Sequence, residues 1–232
     1  MPRVRPLAET AVDIESRQVL ADAIRMLERA EIIDYNGHCS LRAGPDRILI
    51  NSGASVRGAL EASDIIEIDF DGRPVHGGPA PPLEFHIHSE IYRSRSDVNA
   101  IAHTHPRWST FLTMVGERYR PVYAQGVLLG DIPLFDTPLS VNTKAMGERL
   151  AHVLGANPAV LLKSHGVTVV GADMLECFAL AAYLEENAAR QYMAMQIGAP
   201  YEFSADEQRA CREKLWSKNL FRKTWDHYRS KI

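Results

Sequence analysis

The amino-acid sequence predicts an α/β protein with a central, largely antiparallel sheet flanked by helices on both sides. Apolar segments of strand length are mixed with segments of helical spacing, without the strict strand–helix–strand order of a parallel sheet. The pair Asp71-Gly72, directly after the apolar segment Ile65–Phe70, is typical of a hairpin turn between antiparallel strands. We expect residues 1–232 to form a single domain, with residues 205–232 as a C-terminal helical tail.

Several segments have apolar residues at the spacing of an amphipathic helix. Pro82 suits a helix start, and Asp173 suits an N-cap. The predicted helices are Val12–Ala30, Leu83–Ser94, Arg107–Val115, Asn142–Leu154, a long helix from Asp173 to about Gln196, and one polar-faced helix over Ala205–Lys231.

The strands are predicted from short apolar runs that end at glycine or small polar residues. Ala159–Val170 is interpreted either as a strand pair or as one bulged strand with Gly166 at the irregularity. The other predicted strands are Arg47–Ile50, Ile65–Phe70, the segment leading into His103, and two short strands within Arg120–Phe135.

Composition and charge narrow the possible functions. A hydrophobic content of 46% is enough for a sizeable core, and a net charge of −3 gives no reason to expect a nucleic-acid partner. No apolar run approaches the roughly 18 residues of a membrane span, and residues 1–6 lack the apolar core of a signal peptide. The three cysteines, Cys39, Cys177 and Cys211, have no CxxC spacing and suit reduced thiols. A cytoplasmic protein is expected.

The most informative motif is the pair His103 and His105 at the end of an apolar strand. Side chains alternate across a strand, so the two imidazoles project to the same side and can share one metal ion. Pro106 ends the hydrogen-bond pairing between strands there because it lacks an N–H group. His165, which is predicted to lie on an apolar strand beside Gly166, is the natural third ligand. Alternatively, these histidines are hydrogen-bonded core or sheet-edge residues.

A second group of polar residues lies at the start of the predicted helix Leu83–Ser94. His86 and His88 are two residues apart, so they point in different directions on a helix and cannot share a metal. Packing, or hydrogen bonding to the site, is their expected role. Glu84 shares a face with His88 and is a metal neighbour, a general acid/base, or an acid favoured by the helix dipole.

Two polar, glycine-containing segments carry a weaker signal. Asn36–Ser40 and Asn51–Ser55 could hold an anion through backbone N–H groups, although many turns look similar. Arg57 and Lys163 could hold a carboxylate, although most such charges are solvated surface residues.

Together these motifs resemble the class II aldolase/adducin family. The resemblance runs from the Asn36-Gly37 segment to Gly171, and its motifs are the Glu84 helix start with Asp97–Ala100 beyond it, the His103/His105 pair, and Leu162–Gly166. It implies an α/β/α sandwich and a homotetramer with active sites near subunit interfaces. It also implies one divalent ion per chain, bound by His103, His105 and His165, with Glu84 as the acid/base and possible metal contact.

One departure from the family pattern concerns the substrate. Aldolases of the family that act on sugar phosphates have phosphate-binding serines just before the glutamate, where this chain has Pro82 and Leu83. Three segments are more similar to a phosphate-free, decarboxylase-like branch of the family: Pro81–Glu84, Arg120–Gln125 and Trp225–Tyr228.

The expected function is a metal-dependent carbon–carbon lyase that decarboxylates a hydroxylated aromatic or heteroaromatic acid. The alternatives are an aldolase for an unphosphorylated hydroxy-ketoacid or sugar-like substrate, an epimerase or dehydratase on the same site, and a non-catalytic, adducin-like interaction module. The metal is expected to be zinc or manganese, with cobalt or iron also compatible. The candidate substrate-binding residues are Asn36, Ser52, Gly53, Lys163, Tyr123 and Tyr228.

Overall fold

The computed structural model describes residues 11–232, so residues 1–10 of the predicted domain lie outside the described part. The helices are α1 (Ala11–Arg29), α2 (Phe85–Ser94), α3 (Arg107–Met114), α4 (Lys144–Leu154), α5 (Met174–Ile197), α6 (Ala205–Leu215) and α7 (Lys218–Arg229). The strands are β1 (His38–Arg42), β2 (Arg47–Asn51), β3 (Ile65–Asp69), β4 (Ala100–Thr104), β5 (Leu134–Phe135), β6 (Ala159–Leu162) and β7 (Gly166–Gly171).

The strands form one sheet in the order β3-β2-β1-β4-β7-β6-β5. Every neighbouring pair is antiparallel except β5 and β6, which confirms the predicted largely antiparallel sheet. Strand β4 lies at the centre, between β1 and β7, and His103 of β4 is opposite His38 of β1. Strand β1 was not predicted from the sequence.

Helices cover both faces of the sheet, as an α/β/α sandwich requires. Alternation along β4 puts Ala100 and Ala102 in the core beneath α1, α5 and α7, while Ile101 lies in the core beneath α2 and α4. His103 therefore shares the α2 face with Ile101. The metal-binding candidates of β4 consequently lie where α2 begins.

The segment Arg120–Phe135 does not form the two short strands that were predicted. It contains a 3₁₀ helix at Ala124–Leu129, and only Leu134–Phe135 joins the sheet. Side chains of α5 take the place of a strand partner: Asn187 accepts the N–H groups of Val122 and Tyr123 and donates to the carbonyl of Arg120. With these backbone groups satisfied by α5, no ladder is needed.

Ala159–Val170 forms a strand pair, the first of the two predicted alternatives. Strands β6 and β7 are joined by a turn in which Ser164 has a φ of 52°. His165 therefore lies in this turn rather than on a strand, which corrects the predicted placement. Gly166 begins β7 where the backbone of β4 comes close, because a Cβ there would lie 2.3 Å from the carbonyl oxygen of Thr104.

The tail contains two helices rather than the single predicted helix. Helix α6 ends at Leu215, and Ser217 begins α7 by accepting the N–H of Leu220 with its side chain. Phe221 and Trp225 of α7 are buried in the core beneath α5. These two tail aromatics thus pack on the body of their own chain.

Two findings bear on the environment of the chain. Within residues 11–232, no helix is both long and apolar enough to cross a lipid bilayer. Cys39, Cys177 and Cys211 are free thiols, and the first two are buried. Cytoplasmic localisation stays a prediction.

We predict that Trp225→Ala lowers the free energy of unfolding by about 3–5 kcal/mol, the usual cost of removing a buried tryptophan side chain. Trp225 is 2% exposed and its ring contacts that of Phe178 edge-on. Urea unfolding followed by circular dichroism measures the change. The control is Trp216→Ala, because Trp216 is 39% exposed and its loss should cost about 1 kcal/mol. Equal losses in the two variants would contradict the proposed anchoring of α7.

Candidate metal centre

Three parts of the fold bring four potential metal ligands together. His103 lies in β4 and His105 directly after it, His165 lies in the turn between β6 and β7, and Glu84 immediately precedes α2. One ligand atom from each of the four residues lies within 4.8 Å of every other. The three predicted ligands and the predicted acid/base are therefore neighbours in the fold.

The distances within the cluster suit a single divalent ion. His103 Nε2 and His105 Nε2 are 3.2 Å apart, and Glu84 Oε2 lies 3.5 Å from His103 Nε2 and 3.7 Å from His165 Nε2. Two nitrogens bound tetrahedrally to zinc at about 2.05 Å are roughly 3.3 Å apart. Three imidazoles and a carboxylate form a donor set for zinc, manganese, cobalt or iron. The residues present thus fit a divalent metal ion.

Neighbouring side chains orient two of the imidazoles. Asp34 Oδ1 lies 2.8 Å from His105 Nδ1, and because a carboxylate only accepts, Nδ1 donates and Nε2 keeps its lone pair for a metal. His103 Nδ1 lies 3.2 Å from the hydroxyl oxygen of Thr168 on β7. Asp34 itself is fixed by the N–H groups of Asn36 and Gly37. This arrangement is typical of metal-binding histidines.

Burial sets the protonation states of the cluster. It lowers the pKa of His103 to about 4, despite the opposing influence of Glu84, so the imidazole is neutral, the form that binds metal. Burial alone would raise the pKa of Glu84. Hydrogen bonds outweigh this effect of burial and hold the pKa of Glu84 below its usual range. They come from His103, His165 and the N–H of Val141. The carboxylate is therefore ionised.

Glu84 serves the cluster rather than its own helix. Its side chain makes no capping hydrogen bond to α2, and Oε1 instead accepts the N–H of Val141 at 2.7 Å. Oε2 is thereby left facing His103 and His165. Of the three interpretations of Glu84, the geometry favours the metal neighbour and the acid/base.

The second histidine pair lies outside the cluster of potential metal ligands. His88 is fully buried; its Nδ1 lies 2.6 Å from Ser40 Oγ, and its Nε2 lies 2.7 Å from His38 Nδ1. The His38 ring centroid is in turn 5.0 Å from that of His103. His86 packs against Phe85 and takes no part in the cluster.

A cavity of about 390 Å³ opens beside Glu84. Of the six candidate substrate-binding residues, Asn36 and Gly53 line it, together with His38 and Arg57. Pro82 and Leu83 also lie in its wall. The cavity provides space for a small molecule next to the cluster.

The other four candidates lie elsewhere in the chain. Ser52 is buried next to Gly53, and Lys163 forms an ion pair with Asp136 at 2.7 Å. Tyr123 and Tyr228 line a separate cleft of about 280 Å³ between α5 and α7. Within a single chain, these two tyrosines do not line the cavity beside Glu84.

Sequence reasoning missed Asp34 and Thr168. Asp34 had a local signal, because an aspartate two residues before Asn36-Gly37 is typical of a turn closed by its carboxylate. Its contact with His105 spans 71 positions and has no such signal. Thr168 had no local signal beyond its place on a strand.

The fold and the site together define the class of protein: an α/β/α sandwich with a three-histidine, one-glutamate centre, an arrangement suited to metal-assisted lyase chemistry. Residues 18–192 match the model of the Class II Aldolase and Adducin N-terminal domain. The chain therefore belongs to the class II aldolase and adducin family.

Individual relatives agree with this assignment. The chain is 28% identical over 232 residues to a 3,4-dihydroxyphthalate decarboxylase of Arthrobacter keyseri, with 94% of each chain covered. It is 30% identical over 176 residues to an L-fuculose phosphate aldolase of Methanocaldococcus jannaschii, covering 75% of this chain and 94% of the relative. A solved L-fuculose 1-phosphate aldolase from Glaciozyma antarctica superposes with a TM-score of 0.83 at 20% identity, covering 100% of this chain and 93% of that one. The chain is a lyase of this family.

We predict that His103→Ala abolishes binding of a divalent ion, because it removes the fully buried ligand of the cluster. Mass spectrometry of metal content, on protein purified without chelator, should give about one ion per chain for the native protein and almost none for the variant. His152→Ala, at an exposed position of α4, should retain the metal. Retention by His103→Ala would exclude the proposed centre.

We also predict that Asp34→Asn weakens metal affinity by about 10–100-fold, because His105 loses its ionised hydrogen-bond acceptor. Competition with a chromophoric chelator measures the affinity. Asp136→Asn, which changes an exposed carboxylate paired with Lys163, should leave it unchanged. Unchanged affinity in Asp34→Asn would mean that the contact with His105 does not tune the site.

Proposed function

We propose that this protein is a divalent-metal-dependent decarboxylase of hydroxylated aromatic or heteroaromatic carboxylic acids. The observation that carries the proposal is the position of Glu84, whose ionised carboxylate lies between the histidine cluster and the cavity. Pro82 and Leu83 form part of the cavity wall. The relative in Arthrobacter keyseri is named a decarboxylase of a dihydroxylated aromatic acid, which supports the same reaction for this chain.

The bound ion would act as a Lewis acid that stabilises negative charge on substrate oxygens. His103, His105 and His165 would hold it, with Asp34 and Thr168 keeping two of the rings oriented. These residues lie next to the cavity that Glu84 lines.

Glu84 would move the proton that the reaction requires. Its Oε2 takes the proton of a substrate hydroxyl and returns it to the ring carbon that carries the carboxylate. The bond from that carbon to the carboxylate then breaks, its electron pair returns to the ring, and carbon dioxide leaves. The N–H of Val141 keeps Oε1 in place during the transfer.

The wall of the cavity favours a substrate without phosphate. A phosphoryl group needs several N–H or O–H donors, and neither Pro82 nor Leu83 has a side-chain donor. Leu83 is 80% exposed and presents apolar surface beside the cavity, which suits an aromatic ring. Asn36, Gly53 and, next to them, Ser52 are proposed to contact the substrate.

We further propose one zinc or manganese ion per chain and a homotetramer. In such an assembly Tyr123, Tyr228 and Lys163 would contact substrate in the site of a neighbouring subunit, since none of them lines the cavity of its own chain. Light scattering coupled to size-exclusion chromatography tests the assembly.

The activity test is carbon dioxide release from hydroxylated aromatic acids by protein loaded with zinc or manganese. Glu84→Gln should retain the metal and lose about 10²–10⁴-fold in turnover, the usual contribution of a general acid/base. Turnover unchanged in Glu84→Gln would remove Glu84 from the mechanism.

Glu148→Gln, an exposed change on α4 with the same chemistry, is the matched control and should retain full turnover. Hydroxy-ketoacids assayed in parallel test the aldolase alternative, because retro-aldol cleavage gives carbonyl products and no carbon dioxide. Carbonyl release without carbon dioxide would replace the proposal with that alternative.

A further inference from the structure

Helix α3 connects two of the candidate metal ligands. It begins two residues after His105. Near its other end, Thr113 Oγ1 accepts the N–H of Ser164 at 2.8 Å, and Ser164 directly precedes His165. A helix of eight residues is a single stiff unit about 12 Å long. The position of α3 therefore affects both imidazoles at once.

The first turn of α3 is capped from another helix. Pro106 occupies the N-cap position and makes no side-chain hydrogen bond there, so the first N–H groups of α3 lack a local acceptor. Glu185 of α5 supplies one: Oε1 accepts the N–H of Trp108 at 2.6 Å, and Oε2 accepts the N–H and the hydroxyl of Ser109 at 3.0 and 2.9 Å. A carboxylate at this end also suits the helix dipole. Glu185 thus fixes the place where α3 begins.

Glu185 is buried although it belongs neither to the ligand cluster nor to the cavity that Glu84 lines. A glutamate is almost never buried unless its carboxylate has partners, and here the partners are the donors of α3. Replacing the carboxylate by an amide would put an NH₂ group opposite an N–H group, which leaves a buried donor unsatisfied. The contact between α5 and the start of α3 therefore depends on this one side chain.

The turn that contains His165 is held from outside by the other end of α3. Ser164 has a φ of 52°, in the left-handed region that residues other than glycine rarely adopt. Its N–H donates to Thr113, whose own hydroxyl donates to the carbonyl of Thr110 at 2.7 Å. Thr113 is 6% exposed, so its hydroxyl is shielded from bulk water. This hydroxyl joins the backbone of α3 to the backbone of the turn.

We propose that Glu185 is a positioning residue of the metal centre, which acts through α3 on His105 and His165. Glu185 fixes the end of α3 next to His105, and Thr113 couples the other end to the turn of His165. His103 is held separately, by the pairing of β4 with β1 and β7. The inference rests on the metal site of the proposed function, and it does not depend on the substrate or the reaction.

The test uses the full chain loaded with Co²⁺, whose visible absorption depends on the number and geometry of its ligands. Glu185→Gln should lower metal affinity by about tenfold and change the Co²⁺ spectrum, because His105 and His165 lose their common support. Competition with a chromophoric chelator measures the affinity. Glu186→Gln, the same change at the adjacent exposed position, should leave affinity and spectrum unchanged.

A second set of variants tests the other end of α3, and it decides the outcome if Glu185→Gln fails to fold. Thr113→Val keeps the volume of the side chain and removes the acceptor for Ser164, so it should change affinity and spectrum in the same direction. Thr113→Ser keeps the hydroxyl and should stay close to the native values. Thr110→Val is the matched control on the same helix, because the Thr110 hydroxyl has no hydrogen-bond partner in the described structure.

Coupling between the two ends separates positioning from a general loss of stability. If Glu185 and Thr113 act through the same helix, the affinity losses in Glu185→Gln and Thr113→Val should not add in the double variant. Trp225→Ala, which removes core packing of α7, should lower the free energy of unfolding without changing the Co²⁺ spectrum. Additive losses, native spectra in both α3 variants, or an equal spectral change in Trp225→Ala would overturn the proposal.

Failure of this inference can be told from failure of the proposed function. A native chain that binds Co²⁺, shows the effects of Glu185→Gln and releases no carbon dioxide would refute the decarboxylase and leave the positioning role. Carbon dioxide release by the native chain, with native affinity and spectrum in Glu185→Gln, would refute the positioning role and leave the decarboxylase. A native chain that binds no Co²⁺ would refute the metal centre, and the positioning role with it.

Discussion

The contact between β4 and the turn that precedes β7 is the constraint on which the metal centre depends. His103 and His105 come from one side of this contact and His165 from the other. The backbones are so close that a Cβ on Gly166 would lie 2.3 Å from the carbonyl of Thr104. A larger residue would push the two sides apart, and the imidazoles could no longer share one ion, because metal–nitrogen distances tolerate only a few tenths of an ångström.

Much of the layered fold, and the histidines and glutamate of the metal centre, could be predicted from local patterns. The two-residue spacing of His103 and His105 fixed their common side, and the N-cap Asp173 correctly marked the start of α5. The break between α6 and α7 also had a local signal, the capping serine Ser217. Such features depend on a few neighbouring residues, so a single sequence contains the information.

The parts that could not be predicted depend on distant partners. Asn187 and Gln191 of α5 bind the backbone around Arg120 some 70 positions earlier, and no pattern within that segment distinguishes this from strand pairing. The orientation of His105 by Asp34 is equally remote in sequence. Tertiary hydrogen bonds of this kind override local propensity.

The turn that contains Asp34 and Gly37 contacts both the metal-ligand cluster and the wall of the cavity. Asp34 binds the metal-ligand candidate His105, and the carbonyl of Gly37, three residues later, binds Arg57. The positions of the His105 imidazole and of the Arg57 guanidinium are therefore both tied to one short, hydrogen-bonded stretch of backbone. A molecule that contacted both the metal centre and Arg57 would have to match a distance that this turn holds constant.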